Sequence, residues 1–261
     1  MSFQTELTGI VLSASPVDDY NYRMVVLTKE RGKITVFAKG ARKPTSSFLA
    51  CSQPFAYGKF NLYQGREAYN LNGAVIEEYF AKLRDDIELV YTGMYFCELA
   101  MYYTVENQKA HQEVDLIYNT LKAMTEGRME LALIRSIYEL KMASICGEAP
   151  LPGECVVCHG KEDIAGMSFI RGGCVCREHK VLAKDFMAMV PAAIYAVYYV
   201  MVNAPEKIYS FRLDEQGTAD FINYVNCYMK RFVGRRFTSL EFLSMMCVGE
   251  NIEWRKIWKR H

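Results

Sequence analysis

The first 80 residues alternate hydrophobic and polar positions with a period of two, which is the pattern of half-buried β-strands. The alternation predicts five strands, at residues 7–12, 22–28, 34–38, 55–63 and 67–76. The second and third are predicted to form a hairpin, because the turn at 30–33 holds Gly32, which can take a positive φ. Residues 39–53 are predicted to form a loop, with one short helical turn at 46–51.

Five strands with a break after the third match the strand count of an OB-fold, a small barrel that binds oligonucleotides. An SH3-like barrel fits the same five strands nearly as well. The sequence therefore predicts a small β-barrel over residues 1–80, and we take the OB-fold as its expected form.

Beyond residue 80 the apolar positions recur with the spacing of amphipathic helices. Helices are predicted at 85–104, 113–124, 129–146, 191–202, 215–232 and from about Ser239 onward. Pro191 suits the first position of its helix, where no amide donor is needed. These helices are predicted to pack together as one all-α body.

The predicted fold class is α+β, an N-terminal OB-fold barrel followed by an all-α domain with an inserted zinc knuckle. The expected divisions are a nucleic-acid-binding barrel, a first helical part, the knuckle and a second helical part, at residues 1–80, 81–150, 151–180 and 181–261.

The knuckle is predicted from two groups of soft metal ligands. Cys155 and Cys158 are two residues apart, so a tight turn can point both thiols at one ion. Cys176 and His179 repeat that gap, whereas Cys174 and Cys176 have only one residue between them and do not match it. We therefore predict a zinc site of Cys155, Cys158, Cys176 and His179, with Cys174 as the substitute ligand.

A site with four protein ligands has no open position, so the zinc is expected to be structural and to contribute folding energy. His159, next to Cys158, is expected to point away from the ion. A cluster of metal-free thiols, or a disulfide, is the alternative interpretation of the same residues.

Composition places the chain among globular proteins, since 51% of its 261 residues are hydrophobic and 23% are charged. Nine cysteines, mostly scattered in apolar surroundings, indicate a reducing compartment, and we expect the cytoplasm. The first residues lack the pattern of a signal peptide. The longest apolar run, 190–202, is too short to span a membrane, so no membrane partner is expected.

The net charge of +1 is distributed unevenly, because nine basic residues and a single acid lie between Tyr20 and Arg66. Aromatic residues are interleaved with these cations, a combination that suits single-stranded nucleic acid. Any one ring is better explained as barrel core, whereas the charge cluster as a set favours binding. The predicted DNA-binding residues are Arg23, Lys33, Lys39, Arg42, Lys43, Lys59 and Arg66.

Two further basic groups occur near the end of the chain. The first is Lys230, Arg231, Arg235 and Arg236, and the second lies within residues 255–260. Contact with phosphate, contact with an acidic peptide and plain solvation of a helix end are equally good interpretations of each.

Catalytic motifs are absent from the sequence, which holds no P-loop, no Gly-x-Ser-x-Gly elbow and no His-Glu-x-x-His. His111-Gln112-Glu113 followed by the Cys155 pair is similar to the zinc-deaminase pattern. That pattern has a proline before the first cysteine, which is missing here, and it leaves Cys176 and His179 without a role. A zinc-dependent deaminase is thus a remote alternative, and we expect no enzyme.

Three stretches share their pattern with one known family. They are residues 9–42 with Ala38-Lys39-Gly40-Ala41-Arg42, residues 139–173 with the Cys155 pair and Gly172-Gly173, and residues 236–243. Together they make the chain similar, over nearly its whole length, to the bacterial recombination mediator family RecO. Members that keep zinc have Gly-Gly-x-x-Cys-x-x-Cys, so Cys176 and His179 here occupy the two ligand positions and give a Cys₃His set.

The resemblance implies a non-catalytic DNA repair and recombination protein. Such a protein would bind single- and double-stranded DNA, anneal complementary strands without ATP and partner RecR. It would help to load RecA onto strands coated by single-strand-binding protein. A second hypothesis, from a different class, is a zinc-stabilised interaction adaptor whose barrel binds a peptide rather than nucleic acid.

Overall fold

The N-terminal part of the chain forms the five predicted strands. The structure is a computed structural model that describes residues 4–66 and 68–246. The strands are β1 Gln4–Pro16, β2 Tyr22–Thr28, β3 Gly32–Ala38, β4 Tyr57–Gln64 and β5 Tyr69–Glu78. The fourth begins two residues later than predicted, because Phe55 takes a left-handed φ of 75° and buries its ring. The predicted helical turn at 46–51 is a series of hydrogen-bonded turns.

The five strands close into a barrel in the order β1-β2-β3-β5-β4. The long strand β1 pairs with both β2 and β4, and β3 runs parallel to β5 where Val36 faces Tyr69. This Greek-key closure through non-consecutive strands is the OB-fold, and it decides between the two barrels that the strand count allowed. Alternate residues, including Val36, Phe60 and Leu62, fill the interior with no exposed surface.

The tip of the β2–β3 hairpin is covered by the chain at 105–110. Gly32 has the predicted positive φ, +65°. It also has no room for a side chain, since a Cβ there would lie 2.3 Å from the carbonyl oxygen of Val105. The amide of Asn107 donates to the Arg31 carbonyl at 2.9 Å. This end of the hairpin is therefore occupied by protein.

All six predicted helices are present. They are α1 Ile87–Tyr103, α2 His111–Glu126, α3 Leu131–Ile145, α4 Pro191–Val202, α5 Glu215–Phe232 and α6 Thr238–Met246. Carboxylates cap two of them: Asp86 accepts from the amide of Glu88 at 2.7 Å, and Asp214 from that of Gly217 at 2.8 Å. Pro191 stands at the start of α4, as predicted.

The described chain divides into two compact units. One runs to Ala110 and resumes at Arg235, so α1 and α6 belong with the barrel, and the prediction that all six helices form one all-α body is wrong for these two. The other is His111–Gly234, which holds α2 to α5 and a small sheet. These units follow different limits from the predicted divisions at residues 80, 150 and 180, which stay a prediction.

The small sheet contains the predicted knuckle. Its strands are β6 Leu151–Cys155, β7 Ile164–Ser168, β8 Gly173–Cys176 and β9 Phe186–Ala188, in the order β6-β8-β7-β9. Gly172 has a left-handed φ of 73°, and a Cβ on Gly173 would lie 2.4 Å from the Leu151 carbonyl oxygen. The turn thus requires Gly172, and the close approach of β6 to β8 requires Gly173.

Helix α3 lies at the centre of the helical unit and is buried continuously from Leu133 to Ala143. Its polar residues are paired inside this core. The Arg135 guanidinium lies 3.4 Å from the Glu139 carboxylate and also donates to the side-chain oxygen of Asn226 on α5. The Lys141 ammonium donates to the Met201 carbonyl of α4 at 2.8 Å. These contacts fix α3 against both neighbours.

Candidate metal and nucleic-acid sites

Four side chains of the knuckle converge on one point. The ligand atoms of Cys155, Cys158, Cys176 and His179 all lie within 4.8 Å of one another. The sulfurs of Cys158 and Cys176 are 3.9 Å apart, and Nδ1 of His179 is 3.0 Å from the Cys176 sulfur. Two thiolates on one tetrahedral zinc ion, with bonds of about 2.3 Å, lie about 3.8 Å apart. The cluster can hold one metal ion.

Two tight turns at strand ends build this cluster. Cys155 ends β6, and its carbonyl accepts from the amide of His159 at 2.8 Å. His159 has a left-handed φ of 60°, which reverses the chain directly after Cys158. Cys176 ends β8, and the amide of His179 donates to its carbonyl at 3.2 Å. Each two-residue gap in the sequence is therefore a turn that brings two ligands together.

The electrostatics of the cluster suit a cation. Burial opposes ionisation of Cys155, but amide groups of Cys158, Cys176 and Val157 and the Cys176 thiol donate to its sulfur, so its pKa is lowered to about 6. Burial raises the pKa of Cys176, and the adjacent thiols of Cys155 and Cys158 raise it further. A thiolate among sulfur neighbours is stabilised by a divalent metal, and three sulfurs with one imidazole suit zinc.

The remaining candidate ligands lie outside the cluster. Cys174 is buried outside the cluster, where its thiol donates to the Met167 sulfur at 3.3 Å and burial raises its pKa. His159 points away, and its ring nitrogen lies 3.2 Å from the Glu154 carboxylate. His111 begins α2 and is not among the clustered ligands. The deaminase arrangement of one histidine with Cys155 and Cys158 is therefore not assembled.

A second candidate site lies on the barrel, where two loops are tied together. The Asp18 carboxylate accepts from the amides of Tyr20 at 2.9 Å and Asn21 at 2.8 Å. Asn21 accepts in turn from the amide of Gly40 at 2.7 Å, and the amide of Arg42 donates to the Tyr20 carbonyl at 3.0 Å. The hydrogen bond from the Tyr20 amide, together with one from the Asn21 side chain, holds the pKa of Asp18 below its usual value.

These loops present cations beside aromatic rings. The Lys43 ammonium lies 5.2 Å from the centre of the Tyr20 ring, and that ring is 57% exposed. The Arg42 guanidinium lies 5.9 Å from the Tyr22 ring and donates to the Asp18 carbonyl. Such pairs offer a base both a stacking partner and a cation near its phosphate. We define the stacking surface as Tyr20, Tyr22, Arg23, Lys39, Arg42 and Lys43.

Four of the seven predicted DNA-binding residues lie on this surface. Besides Arg42 and Lys43, these are Arg23 on β2, which is exposed opposite Phe37, and Lys39, which is exposed directly after β3. The shared loops and the β2–β3 pairing bring the four together.

The other three predicted residues lie elsewhere on the barrel. The Lys33 ammonium donates to the Met101 carbonyl at 2.7 Å. Lys59 is on β4, which is not a neighbour of β2 or β3, and lies 3.9 Å from Glu6. Arg66 lies in the β4–β5 turn and lines a small polar pocket with Glu106. The assignment of all seven residues to DNA stays a prediction.

Tyr20 is the residue that the sequence did not single out. The prediction that most rings are core agrees with the burial of Phe55 and Phe60, whereas Tyr20 and Tyr63 are exposed. A signal was available, because Asp18 two residues before Tyr20 is typical of an Asx turn, which places Tyr20 at a loop tip.

Of the two later basic groups, one lies within the described residues and the other does not. Lys230 and Arg231 lie in the last turn of α5, and Arg235 and Arg236 are exposed beyond it. The group at 255–260 lies outside the described residues.

Among the described residues, no helix combines the length and apolar character needed to cross a membrane.

A five-stranded OB-fold barrel, followed by helices with an inserted Cys₃His cluster, defines an OB-fold protein with a metal-binding knuckle. Two family models match this chain. The model for the N-terminal part of recombination protein O matches residues 1–80, and that for its C-terminal part matches residues 84–241. The chain belongs to the recombination protein O family, RecO.

Curated relatives agree with this assignment. The chain is 26% identical to the DNA repair protein RecO of Acetivibrio thermocellus, over 92% of this chain and 96% of the relative. It is 29% identical to that of Exiguobacterium sibiricum, over 91% and 95%. It is 34% identical to that of Alkaliphilus metalliredigens, over 68% and 72%. Membership of this family supports a role in DNA repair and recombination.

Proposed function

We propose that this protein is a non-catalytic mediator that binds single- and double-stranded DNA and anneals complementary strands without ATP. With RecR, it helps to load the recombinase RecA onto strands coated by single-strand-binding protein. The observation that carries the DNA-binding step is the stacking surface, where Lys43 lies over the exposed ring of Tyr20. The partners, and a cytoplasmic site of action at the nucleoid, rest on family membership.

The chemistry of the stacking surface suits annealing. Cations from Lys39, Arg42 and Lys43 displace counterions from phosphates and reduce the repulsion between two strands. The Tyr20 ring stacks on any base, because every base has an aromatic face. None of these contacts depends on sequence, so base pairing between the strands decides their register. No nucleotide hydrolysis is needed for this step.

We assign zinc as the metal of the knuckle, held by Cys155, Cys158, Cys176 and His179. When bound, it supplies folding energy to the sheet and no reaction chemistry, because the four protein ligands complete its tetrahedron. The eight described cysteines are all free thiols, which supports a reducing cytoplasm over an oxidising compartment.

A salt-dependent titration tests the proposal. Fluorescently labelled single-stranded oligonucleotide is titrated with the wild type and with K39A/R42A/K43A at two salt concentrations. The wild type should lose affinity steeply with salt, and the triple variant should bind more weakly, with a log–log salt slope smaller by about 2. Unchanged affinity and slope would remove these residues from the interface.

The matched control is K82A/R84A/K109A, which removes three exposed cations from the same unit but away from the stacking surface. It should keep most of the affinity, because the loss in K39A/R42A/K43A is expected to depend on where the cations lie and not on the net charge alone. A folded wild type that binds no DNA at either salt would favour the peptide-binding adaptor. Annealing is followed separately, by mixing complementary labelled strands without nucleotide.

A further inference from the structure

The helical unit contains an aromatic groove that neither candidate site uses. A cavity of about 320 Å³ lies between α5, the turn that joins β7 to β8, and residues 147–150. Four rings line it, those of Phe169, Tyr224, Tyr228 and Phe232. Phe232, the last residue of α5, is 42% exposed. The groove is therefore open to solvent at the end of α5.

The walls of the groove are fixed by mutual ring contacts. Tyr224, Tyr228 and Phe232 are four residues apart on α5 and form one ridge, with the last two ring centres 4.6 Å apart. Phe169 stacks on Tyr224 with centres 5.3 Å apart and planes 9° apart. The Tyr228 hydroxyl donates to the Glu148 carbonyl, which ties the ridge to the opposite wall. A ligand would meet preformed aromatic surfaces.

Basic and acidic residues lie beside the open end of this groove. The Arg231 guanidinium lies 6.0 Å from the Phe232 ring, and Lys230 precedes it in the same exposed turn. Arg171 is exposed on the β7–β8 turn, where its guanidinium donates to the Leu182 carbonyl at 3.1 Å. Two carboxylates are near: Asp185 accepts from the Ser168 hydroxyl at 2.6 Å and from the Ile170 amide at 2.8 Å, and the exposed Glu148 belongs to the lining. Asp185 is thus held by the turn with its charge near that of Arg231, and the outer rim carries both basic and acidic groups.

We propose that this groove is a second binding site for single-stranded DNA. One unpaired base occupies the cavity against Phe232 and Phe169, and the adjoining phosphates lie beside Arg231 and Arg171. Aromatic faces next to cations are the combination that single-stranded nucleic acid requires. The inference rests on the proposed function, because annealing brings two strands to one protein, and the stacking surface on the barrel would hold the other.

Photocrosslinking tests the location. A thymidine oligonucleotide with one 5-bromodeoxyuridine is bound to the full chain and irradiated, and crosslinked peptides are identified by mass spectrometry. Crosslinks are expected in the peptides that contain Phe169 or Phe232, in the wild type and also in K39A/R42A/K43A. Crosslinks confined to the barrel would overturn the second site while leaving the proposed function intact.

Native mass spectrometry tests the stoichiometry with a thymidine 12-mer. The wild type should bind two oligonucleotides. Phe232→Ala and Arg231→Ala should weaken the second binding event about tenfold, the loss expected for one stacked base. Phe232→Leu preserves apolar packing without an aromatic face and should show the same loss at an unchanged melting temperature. The first binding event should depend on Lys39, Arg42 and Lys43 instead.

Matched controls are Tyr195→Ala, which removes a ring that is 64% exposed on α4, and Arg212→Ala, which removes an exposed cation before α5. Both should bind two oligonucleotides normally. A wild type that binds a single oligonucleotide overturns the second site alone, and one that binds none overturns the proposed function as well. Binding of an apolar peptide in the groove, with no DNA crosslink there, would make it a protein-docking site.

Discussion

The amide of Gly40 donates to the side-chain oxygen of Asn21 at 2.7 Å, and this bond joins the β1–β2 loop to the loop after β3. Asn21 also donates to the Asp18 carboxylate at 2.7 Å. An uncharged amide therefore determines how Tyr20 stands relative to Lys43. The stacking surface depends on this geometry as well as on its charge.

Replacement of Asn21 by Ala should weaken single-stranded DNA binding about three- to tenfold, because loss of the bond to Gly40 loosens the connection between the loops that carry Tyr20 and Lys43. No cation is removed, so the slope of affinity against salt should not change. Oligonucleotide titration at several salt concentrations measures both quantities. Asn72→Ala, at an exposed position of β5, is the control and should bind as the wild type does. A smaller salt slope in Asn21→Ala would contradict the geometric role.

Tyr20→Ala should separate the two modes of DNA binding. Stacking needs an unpaired base, so affinity for single strands should fall by about 1 to 3 kcal/mol, whereas affinity for duplex should stay within about twofold. Competition between labelled single strands and unlabelled duplex measures the ratio. Tyr63→Ala removes an exposed ring on β4, at 38% exposure, and serves as the control. Equal losses for both DNA forms would argue against base stacking at Tyr20.

Cys155→Ala should abolish metal binding and lower the free energy of unfolding by about 3 to 5 kcal/mol, since the turn after β6 loses its anchor. Elemental analysis should find one zinc per chain in the wild type and none in the variant. Chelator should lower the melting temperature of the wild type only. The DNA affinity of the folded variant should change little, because none of the four ligands belongs to the stacking surface.

His159→Ala is the matched control for the metal site, since His159 adjoins Cys158 but pairs with Glu154 on the surface. It should retain both zinc and stability. A Cys155→Ala protein that lacks zinc and is as stable as the wild type would contradict the structural role of the metal.

Stability should fall in alkaline solution. Burial, with a contribution from Glu148, raises the pKa of Tyr228 to about 12, and burial also raises that of Cys146 to about 12. The unfolded chain loses these protons near pH 10 and pH 8.5, so above those values the folded state holds more protons. Each such group lowers the free energy of unfolding by about 1.4 kcal/mol per pH unit until its folded pKa is reached.

Tyr228→Phe isolates one of these groups. At pH 7 the variant should be less stable than the wild type, because the bond to the Glu148 carbonyl is lost. Between about pH 10 and 12 the two proteins should converge, since only the wild type has this proton to lose. Denaturant titrations across pH measure the difference, and a constant difference up to pH 12 would contradict the raised pKa of Tyr228.

Breaking the buried pair of Arg135 and Glu139 should lower the free energy of unfolding more than replacing both residues with apolar ones. Glu139→Ala leaves the guanidinium unpaired in the core and should lower the free energy of unfolding by about 3 to 5 kcal/mol. R135M/E139L removes both charges and should cost less than the single change. Arg128→Ala, which breaks an exposed pair with Glu126, should cost less than about 1 kcal/mol. A double variant less stable than Glu139→Ala would refute this ranking.

Several features were accessible from local sequence pattern. The period of two predicted the strands, and the helical spacing predicted all six helices, because both periods reflect how consecutive residues face one core. The Cys-x-x-Cys and Cys-x-x-His gaps singled out the four residues that converge in the knuckle, since a two-residue gap is closed by a local turn. Gly32 was identified for the same reason.

By itself, the sequence therefore determined the strands and helices, the presence of a β-barrel followed by helices, and the four side chains that converge in the knuckle. Only the tertiary structure decided that β1 closes on β4 and β3 on β5, which separates Lys59 from the cations of the stacking surface. It also decided the bond between Asn21 and Gly40, and the groove beside Phe232. The physical reason is range: periodicity and turns arise between near neighbours in the chain, whereas closure, loop contacts and cavities depend on residues that only the packed chain brings together.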